Sequence, residues 1–300
     1  MTAAGEGGRL YVVATPIGNL GDVTYRSLEV LAAVPLIAAE DTRIARRLLA
    51  RYGIETPLTS FHARSSPSKL AELVAHLAGG HDLAVVSDAG TPGVSDPGDE
   101  LVRAWAAQGG TVVPIPGASA VLAALVGSGV AGPRWSFEGF LPRSGRDRRE
   151  RLARIAGDER PTVIYEAPSR VAATLADLAT SCGPDRPAAV GRELTKMHEE
   201  FVRGSLTELA EAAADGRIKA RGEFAIVVGP GTELRVAGTE TGTRAGAREE
   251  TLERAKAEVA ALVASGVARG KAARRVARAR SVSRRLLYDA PDEGGGRPGA

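Results

Sequence analysis

The sequence predicts an α/β protein of two lobes, followed by a small C-terminal helical module. Apolar runs of four to six residues alternate with helical patterns from Leu10 to about Gly229, which is typical of βαβ units. Three of these runs lead directly into loops rich in glycine and proline, and parallel sheets gather such loops at the carboxyl edge of their strands. A basic segment with helical periodicity follows the α/β part.

The first lobe is assigned to residues 1–117 and contains predicted strands joined by helical patterns. The strands are the apolar runs at residues 10–14, 35–39, 57–61, 83–87 and 111–115. The helices between them cover residues 24–33, 42–52, 68–78 and 98–108. Because each helix can return the chain to the same edge of the sheet, the strands are expected to run parallel.

The second lobe is assigned to residues 118–230 and is predicted to hold a mixed sheet. Its helices cover residues 118–127, 147–156, 169–180 and 206–214, and its strands cover residues 136–140, 161–166, 187–192, 200–204 and 223–229. The strands on either side of Leu194-Thr195-Lys196 follow each other without a helix, which indicates a hairpin. An antiparallel hairpin makes the sheet mixed.

The C-terminal part is predicted to be a linker, a basic module and a disordered tail. Residues 231–250 are rich in Gly, Thr and Arg and lack apolar periodicity, which is typical of a linker. Residues 251–290 hold ten Lys or Arg and three acids, a net charge of +7 in a chain whose total is +3. This charge favours binding to a polyphosphate, and a solvated basic helix is the alternative.

Three short helices are expected in the basic module, in a unit that resembles a helix-turn-helix. They are marked by Leu252, Val259, Leu262 and Val263, by residues 272–279, and by a cap at Ser281 followed by Leu286 and Leu287. Residues 291–300 are expected to be disordered.

Composition argues against several classes of protein. An apolar content of 44% and a charged content of 25% are ordinary for a globular chain of 300 residues. The N-terminus lacks a signal-peptide pattern and no apolar run reaches the length of a membrane span, so a cytoplasmic protein is expected. The single cysteine, Cys182, excludes an internal disulfide, and the spacing of the four histidines predicts no metal site.

The loops that follow three predicted strands, at residues 15–22, 87–98 and 116–120, are predicted to form a ligand site. Their glycines admit a ligand close to the backbone, and their prolines restrict the path of the chain. No Gly-x-Gly-x-x-Gly follows a strand and no loop contains a lysine, which disfavours a phosphate-bearing ligand. Ser87 and Ser119 lack the nucleophile-elbow pattern, which disfavours hydrolysis by a serine triad.

Six segments of the α/β part resemble, in order and without large gaps, the motifs of one enzyme family. They are Ala14–Asp22, Ala38–Arg43, Val86–Gly98, Phe137–Arg143, Tyr165–Arg170 and Arg192–Glu200. The chain is thereby similar to the ribosomal RNA small-subunit methyltransferase I family of the tetrapyrrole-methylase superfamily. The resemblance implies methylation of the ribose 2′-oxygen of a cytidine in the decoding centre of 16S rRNA, with S-adenosylmethionine as the methyl donor.

The resemblance further implies that S-adenosylmethionine lies in a cleft between the two lobes. The residues implied in binding it are Pro16, Ile17, Gly18, Asn19, Asp88, Gly90, Thr91, Val94, Ala118 and Ser119 from the first lobe and Tyr165, Leu194, Phe224 and Ala225 from the second. This cofactor carries a sulfonium and no phosphate, in agreement with loops that lack lysine. The first loop contains less glycine than in tetrapyrrole methylases, which disfavours porphyrin-type substrates. Because members of the superfamily generally pair, a homodimer is also implied.

Charged residues near the predicted strand ends are candidates for catalysis, because a ribose hydroxyl is a weak acid and must lose its proton. Asp41 or Glu199 is the expected proton acceptor, and Lys196 or Arg43 the expected electrostatic support. Structural ion pairs are the alternative for these residues.

Contacts to RNA phosphates are expected from arginines that follow the Phe140-Leu141-Pro142 segment and from the basic module. The candidates are Arg143, Arg146, Arg148, Arg149, Arg274 and Arg275. A solvated helix face is the alternative for the first four. The motifs leave open whether naked 16S rRNA or the 30S subunit is the substrate.

Two other functions stay open on the sequence. One is a methylase of the same superfamily that acts on a small tetrapyrrole or a diphthamide precursor, against which the arginine-rich segments argue. The other is a nucleic-acid-binding regulator whose α/β part senses a metabolite.

Overall fold

The computed structural model describes residues 7–231 and 255–280 of the chain. The chain divides into two compact units, Met1–Arg235 and Val236–Ala300. Most of the expected linker, the expected third helix with Ser281, Leu286 and Leu287, and the expected tail lie outside the described residues.

A parallel sheet of five strands forms the first half of the larger unit. Its strands are β1 (Arg9–Val13), β2 (Ile37–Ala39), β3 (Leu58–Ser60), β4 (Leu83–Val86) and β5 (Thr111–Ile115). They lie in the order β3-β2-β4-β1-β5, and every neighbouring pair is parallel. All residues of the central strand β4 are buried, as its continuous apolar sequence predicts.

Helices cover both faces of this sheet. They are α1 (Tyr25–Ala33), α2 (Thr42–Arg51), α3 (Pro67–Ala78) and α4 (Asp99–Ala107). Because side chains alternate along β4, Val86 packs with the buried residues of α1 and α2, whereas Val85 packs with those of α3 and α4. The side chain of Asp41 caps α2 by accepting a hydrogen bond from Arg43 N–H, which fixes the start of this helix at the carboxyl end of β2.

The second sheet is mixed, as predicted, and also has five strands. Its strands are β6 (Ser136–Phe140), β7 (Thr162–Glu166), β8 (Pro187–Arg192), β9 (Glu200–Ser205) and β10 (Phe224–Val228). They lie in the order β6-β7-β10-β8-β9, with β6 and β7 parallel and the other pairs antiparallel. The predicted hairpin is confirmed as the β8–β9 pair.

The two faces of the second sheet are covered unequally. The helices are α5 (Ala120–Ser128), α6 (Gly145–Gly157), α7 (Val171–Cys182) and α8 (Leu206–Ala214). Helices α6, α7 and α8 pack on the face that includes Ile226 and Val228, and α5 packs on the opposite face with Ala225 and Val227. The α5 face is therefore left with room for the loops of the first lobe.

The described part of the C-terminal unit is a pair of helices. Helix α9 covers residues 255–264 and α10 covers Arg269–Arg280. They pack through small apolar residues, among them Ala255, Val259 and Val276. The first two helices expected in the basic module are thus present, and α10 begins three residues before the expected residue 272.

Candidate active site

Two of the predicted ligand loops are joined by backbone hydrogen bonds. Thr15 N–H donates to the Gly90 carbonyl oxygen at 2.8 Å, and Gly90 N–H donates to the Thr15 carbonyl oxygen at 3.1 Å. The Thr15 hydroxyl also donates to the Ser87 carbonyl oxygen at 3.2 Å. The loops after β1 and β4 therefore form one rigid surface at the carboxyl edge of the sheet.

Gly90 lies where all three predicted loops converge. Its φ is +78°, a conformation that glycine adopts readily. A Cβ added to Gly90 would lie 3.4 Å from Ile17 Cγ2, in the loop after β1, and 3.9 Å from the Ala118 carbonyl oxygen, in the loop after β5. The three loops are thus brought together as predicted, and the missing side chain leaves a narrow space between them.

Residues of the second lobe meet these loops on the α5 face. Ile17 is buried in one apolar cluster with Val121 of α5, Leu194 and Ala225. Ala118 and Tyr165 pack against the same cluster. The structure therefore brings together predicted cofactor residues from both lobes, and their buried apolar side chains form packed walls where the lobes meet.

Phe224 does not belong to these walls. Its side chain is buried in the opposite cluster, with Ile226 and the helices α6 to α8. Neighbouring side chains along a strand point to opposite faces, so Ala225 and Phe224 cannot both face the loops. The side chain of Phe224 therefore faces away from the loops, and its predicted contact with the cofactor stays a prediction that only its backbone could fulfil.

The remaining predicted cofactor residues lie along the same edge. Asn19 uses its side chain to accept a hydrogen bond from Gly21 N–H at 3.0 Å, which caps a short 3-10 helix. Ser119 caps α5 by accepting a hydrogen bond from Leu122 N–H. Pro16 is buried, Thr91 is half-buried, and Val94 is exposed.

Acidic side chains cluster at the ends of β2 and β4. Asp41 N–H donates to Asp88 Oδ1 at 2.9 Å, and Asp88 N–H donates to Glu40 Oε2 at 3.2 Å. Burial raises the pKa values of Glu40 and Asp88. Burial, with the charges of Glu40 and Asp88, raises the pKa of Asp96 to about 6. This edge is therefore electronegative and favours a cationic ligand.

Asp96 was not among the predicted site residues, although it lies in the loop at 87–98. Its charge acts on Tyr165 of the second lobe, whose pKa is raised to about 12 by burial and then by Asp96. The ring of Tyr165 is held by Phe137 and Phe140, with ring centroids 5.0 and 5.6 Å away. Its electrostatic effect on a residue of the second lobe depends on the tertiary fold, so no local pattern reveals it.

The predicted catalytic residues of the first lobe, Asp41 and Arg43, form a close ion pair. Arg43 Nη2 lies 2.6 Å from Asp41 Oδ2, and Arg43 Nε lies 3.0 Å from Asp41 Oδ1. The hydrogen bonds from the Arg43 side chain and backbone hold the pKa of Asp41 well below its usual range. A carboxylate with so low a pKa is a weak base.

Lys196, from the turn between β8 and β9, lies against the first lobe. Its Nζ atom forms ion pairs with Glu193 Oε1 at 2.9 Å and Glu223 Oε2 at 3.1 Å. Burial lowers the pKa of Lys196, but the hydrogen bonds to Glu193 and Glu223 outweigh burial and raise it, so the side chain stays cationic. A Cβ on Gly18 would clash with the Lys196 side chain, and this close approach requires glycine there.

The turn around Lys196 is held in an unusual conformation. Glu193 and Thr195 have positive φ values of 51° and 66°. Glu199 Oε2 stabilises the turn by accepting a hydrogen bond from Thr195 N–H at 2.6 Å. Thr195 Oγ1 is buried and has no hydrogen-bond partner in the described part of the chain. Such an orphaned polar atom beside the walls of the cleft indicates a polar ligand group.

The arginines expected to bind RNA differ in their surroundings. Arg143 and Arg149 are exposed, and Arg146 is exposed but paired with Glu150. Arg148 is buried, with its guanidinium bonded to Asp177 Oδ2 at 2.7 Å and to Thr174 Oγ1 at 3.0 Å. The expectation for Arg148 is corrected, because a buried and fully paired guanidinium cannot reach a phosphate. In the C-terminal unit, Arg274 and Arg275 are exposed on α10.

Comparison with known proteins agrees with this arrangement. Residues 9–210 match the family model for tetrapyrrole (corrin/porphyrin) methylases. The ribosomal RNA small subunit methyltransferase I of Synechocystis sp. is 49% identical over 225 residues, which are 75% of this chain and 80% of that protein. The chain belongs to the tetrapyrrole methylase family. Its relatives include the Bacillus subtilis protein of the same name, 45% identical over 74% of this chain and 75% of that protein.

Solved structures of tetrapyrrole methylases share the fold. Uroporphyrin-III C-methyltransferase from Thermus thermophilus, complexed with S-adenosyl homocysteine, superposes with a TM-score of 0.54. The match covers 74% of this chain and 97% of that one, at 19% sequence identity. This tetrapyrrole methylase therefore confirms the two-lobe α/β architecture predicted for the chain.

None of the described helices combines the length and apolarity that a membrane crossing requires. Within residues 7–231 and 255–280, no three His, Cys, Asp or Glu side chains are placed to bind a metal ion.

Proposed function

We propose that this chain transfers a methyl group from S-adenosylmethionine to ribosomal RNA of the small subunit. The observation that carries the proposal is its 42–49% identity, over 74–75% of the chain, to relatives named ribosomal RNA small subunit methyltransferase I. The proposed acceptor is the ribose 2′-oxygen of a cytidine in the decoding centre of 16S rRNA, which the six motifs imply. An enzyme with this substrate works in the cytoplasm, and its assembly as a homodimer is proposed from the resemblance.

Bound S-adenosylmethionine would supply an electrophilic methyl group. The described residues match such a molecule in polarity and in charge. Ile17, Leu194 and Ala225 provide apolar surface where the lobes meet, and the lack of a side chain at Gly90 would let a ligand group approach the backbone. Thr195 Oγ1 offers an unused hydrogen-bonding group. The carboxyl groups at the ends of β2 and β4 favour a cation, and no lysine is needed because the cofactor lacks phosphate.

The chain contributes alignment and exclusion of water in the proposed reaction. A bond forms between the ribose oxygen and the methyl carbon, the carbon–sulfur bond breaks, and the hydroxyl proton leaves. Such an in-line displacement depends on holding the two reacting atoms in line in a dry site. The Lys196 side chain extends from the second lobe onto Gly18, which brings its cation to the edge where the predicted loops lie. Its proposed role is to stabilise negative charge that develops on the oxygen.

The proton acceptor is proposed from the carboxylates of the site. Asp41 is disfavoured, because its pairing with Arg43 keeps its pKa well below its usual range. Glu199 is retained, although its Oε2 atom already accepts a hydrogen bond from Thr195 N–H. Asp96 is added, because a pKa of about 6 combines an ionised state at neutral pH with greater basicity than an ordinary carboxylate.

A methylation assay tests the proposed function. Purified protein is incubated with methyl-labelled S-adenosylmethionine and either naked 16S rRNA or 30S subunits from a strain that lacks this gene. Mass spectrometry of nuclease fragments then locates the methyl group. Methylation of a single ribose in the decoding centre supports the proposal, and the two substrates show whether the assembled particle is required. Methylation of uroporphyrinogen with no labelling of either RNA sample would overturn it.

A further inference from the structure

Ion pairs divide the arginines of the larger unit into two groups. On α6, Arg146 pairs with Glu150, and Arg151 and Arg154 both lie 3.6 Å from Glu138 Oε2. Arg148 is buried against Asp177. Most of the positive charge expected to face RNA on α6 is thus neutralised by carboxylates of the same lobe.

Helix α2 presents the opposite case. Its exposed face carries Arg43, Arg46, Arg47 and Arg51, and the helix contains no acidic residue. Arg43 pairs with Asp41, whereas the other three form no ion pair with any described residue. Within the larger unit, α2 is the only described α-helix that combines arginines with a complete lack of acids.

The neighbouring helices show that this charge is not a general property of the lobe's surface. Helix α3 pairs Lys69 with Glu72, and α4 pairs Arg103 with Asp99. A single-sign surface is destabilised by self-repulsion unless a partner of opposite charge binds it. Residues Ala45, Leu48 and Leu49 fix the orientation of α2 by burying its apolar side, so the arginines necessarily face outward.

The spacing of these arginines suits an extended polyanion. Arg47 and Arg51 continue a stripe that begins at the paired Arg43, with four-residue steps of about 6 Å along the helix, and Arg46 lies beside this stripe at a three-residue spacing from Arg43. The stripe begins beside the candidate active site, because Asp41 at the start of α2 donates its N–H to Asp88 in the loop after β4. Ile44, which is 40% exposed, adds an apolar contact next to Arg43 and Arg47.

The geometry points to the outer face of α2, defined by Arg46, Arg47 and Arg51, as a binding surface for the phosphodiester backbone of the RNA substrate. This inference rests on the proposed function, because it assumes that RNA is the substrate. An RNA strand bound along α2 leads toward the edge where β2 and β4 end. The surface positions the strand and contributes affinity without reading its sequence.

The salt dependence of binding tests this surface. The variant Arg46→Gln/Arg47→Gln/Arg51→Gln is compared with the intact chain for binding to 16S rRNA and to 30S subunits across a range of salt concentrations. We expect affinity at low salt to fall at least tenfold and the slope of log K against log salt to decrease by about 2. The affinity for S-adenosylhomocysteine, measured by calorimetry, is expected to stay unchanged.

Matched controls separate local contacts from total charge. Lys69→Gln/Arg103→Gln/Arg217→Gln also removes three positive charges, each of which has a carboxylate partner. This control is expected to retain the slope, and the triple arginine-to-lysine variant of α2 is expected to keep most of it. Equal losses in the α2 and control variants, or an unchanged slope in the α2 variant, would overturn the inference. Binding of the intact chain to phosphatidylserine vesicles through α2, without α2-dependent RNA binding, would also overturn it.

The result of the salt-dependence experiment does not depend on the methyl-transfer assay. The salt-dependence experiment measures RNA binding rather than turnover, so a slope that depends on α2 supports the surface even where no methyl group is transferred. If the chain methylates RNA but the α2 variant binds RNA as the intact chain does, this inference is overturned and the proposed function remains intact.

Discussion

Gly90 must combine a positive φ with close contact to two other loops, because three loops of the candidate site meet there. Gly90→Val is expected to abolish binding of S-adenosylhomocysteine in calorimetry, since the new side chain fills the space between Ile17 and Ala118. Its positive φ also predicts a stability loss of about 1–2 kcal/mol. Gly109→Val is the control for that strain, because Gly109 has a φ of +76° and open space around its Cβ. Equal loss of cofactor affinity in both variants would contradict a local role for Gly90.

Asp96 is expected to lower the stability of the fold when it ionises. Its folded-state pKa, about 6, lies above the ordinary value of 3.8, so the folded state disfavours the charged form. The stability of the intact chain therefore decreases as pH rises from about 4 to about 6. After a discount for partial exposure, Asp96→Asn is expected to raise the free energy of unfolding at pH 8 by about 1 kcal/mol, with a smaller gain at pH 5.

Denaturant unfolding at the two pH values checks this effect, with Glu100→Gln as an exposed control. If Asp96 is also the proton acceptor, Asp96→Asn will lower the methylation rate about 100-fold or more while it stabilises the fold. A gain in stability with an unchanged methylation rate would mean that another group accepts the proton of the ribose hydroxyl. Glu199 is then tested in the same way.

The site also shows which residues a sequence can reveal. The loops at 15–22 and 87–98 were predictable, because glycine and proline favour turns and end an apolar strand. Phe224 and Ala225 were both predicted from their position in β10, but only the alternation of side chains in the observed register assigns them to opposite faces. The raised pKa of Asp96 depends on burial and on the charges of Glu40 and Asp88, which only the tertiary fold brings near it, so no local pattern indicates it.

At the scale of elements, the strands were predictable because burial on both faces requires continuous apolar runs. The ends of the strands were less predictable, since β2 and β3 have only three residues each where five were predicted. The burial of a charged side chain is even more difficult to predict from the sequence. The sequence pattern of α6 predicts that Arg148 is exposed like Arg146 and Arg149, and only its hydrogen bonds to α7 in the folded structure show that it is buried.

Arg186 shows how a single buried guanidinium joins elements. It donates to the carbonyl oxygens of Ile155 and Ala156 in α6, each at 3.1 Å, to that of Asp158 at 2.9 Å, and to that of Gly229 beyond β10 at 2.8 Å. These bonds supply donors to carbonyl groups at the end of α6, where the helix itself provides few, and the Ile155 carbonyl oxygen also accepts a hydrogen bond from Asp158 N–H at 3.3 Å.

Arg186→Ala is therefore expected to lower the free energy of unfolding by about 2–4 kcal/mol, because it removes the four hydrogen bonds that this buried guanidinium donates to carbonyl oxygens. The surface arginine Arg160, whose ion pair with Asp158 is partly exposed, supplies the matched control. Arg160→Ala should cost less than about 1 kcal/mol. Thermal and denaturant unfolding measure both values. Similar losses in the two variants would show that the buried hydrogen bonds of Arg186 contribute no more to the free energy of unfolding than a surface ion pair does.

At the scale of the whole molecule, the division into two units predicts separable binding functions. Deleting residues 251–290 removes a net charge of +7, so rRNA affinity at low salt and the slope of log K against log salt are expected to fall together. Affinity for S-adenosylhomocysteine should remain, because all the walls of the cleft lie in the larger unit. In the full chain, Arg274→Gln/Arg275→Gln is expected to lower the slope by about 1–2. Calorimetry and filter binding measure these quantities, and loss of cofactor affinity on deletion would refute the independence of the two units.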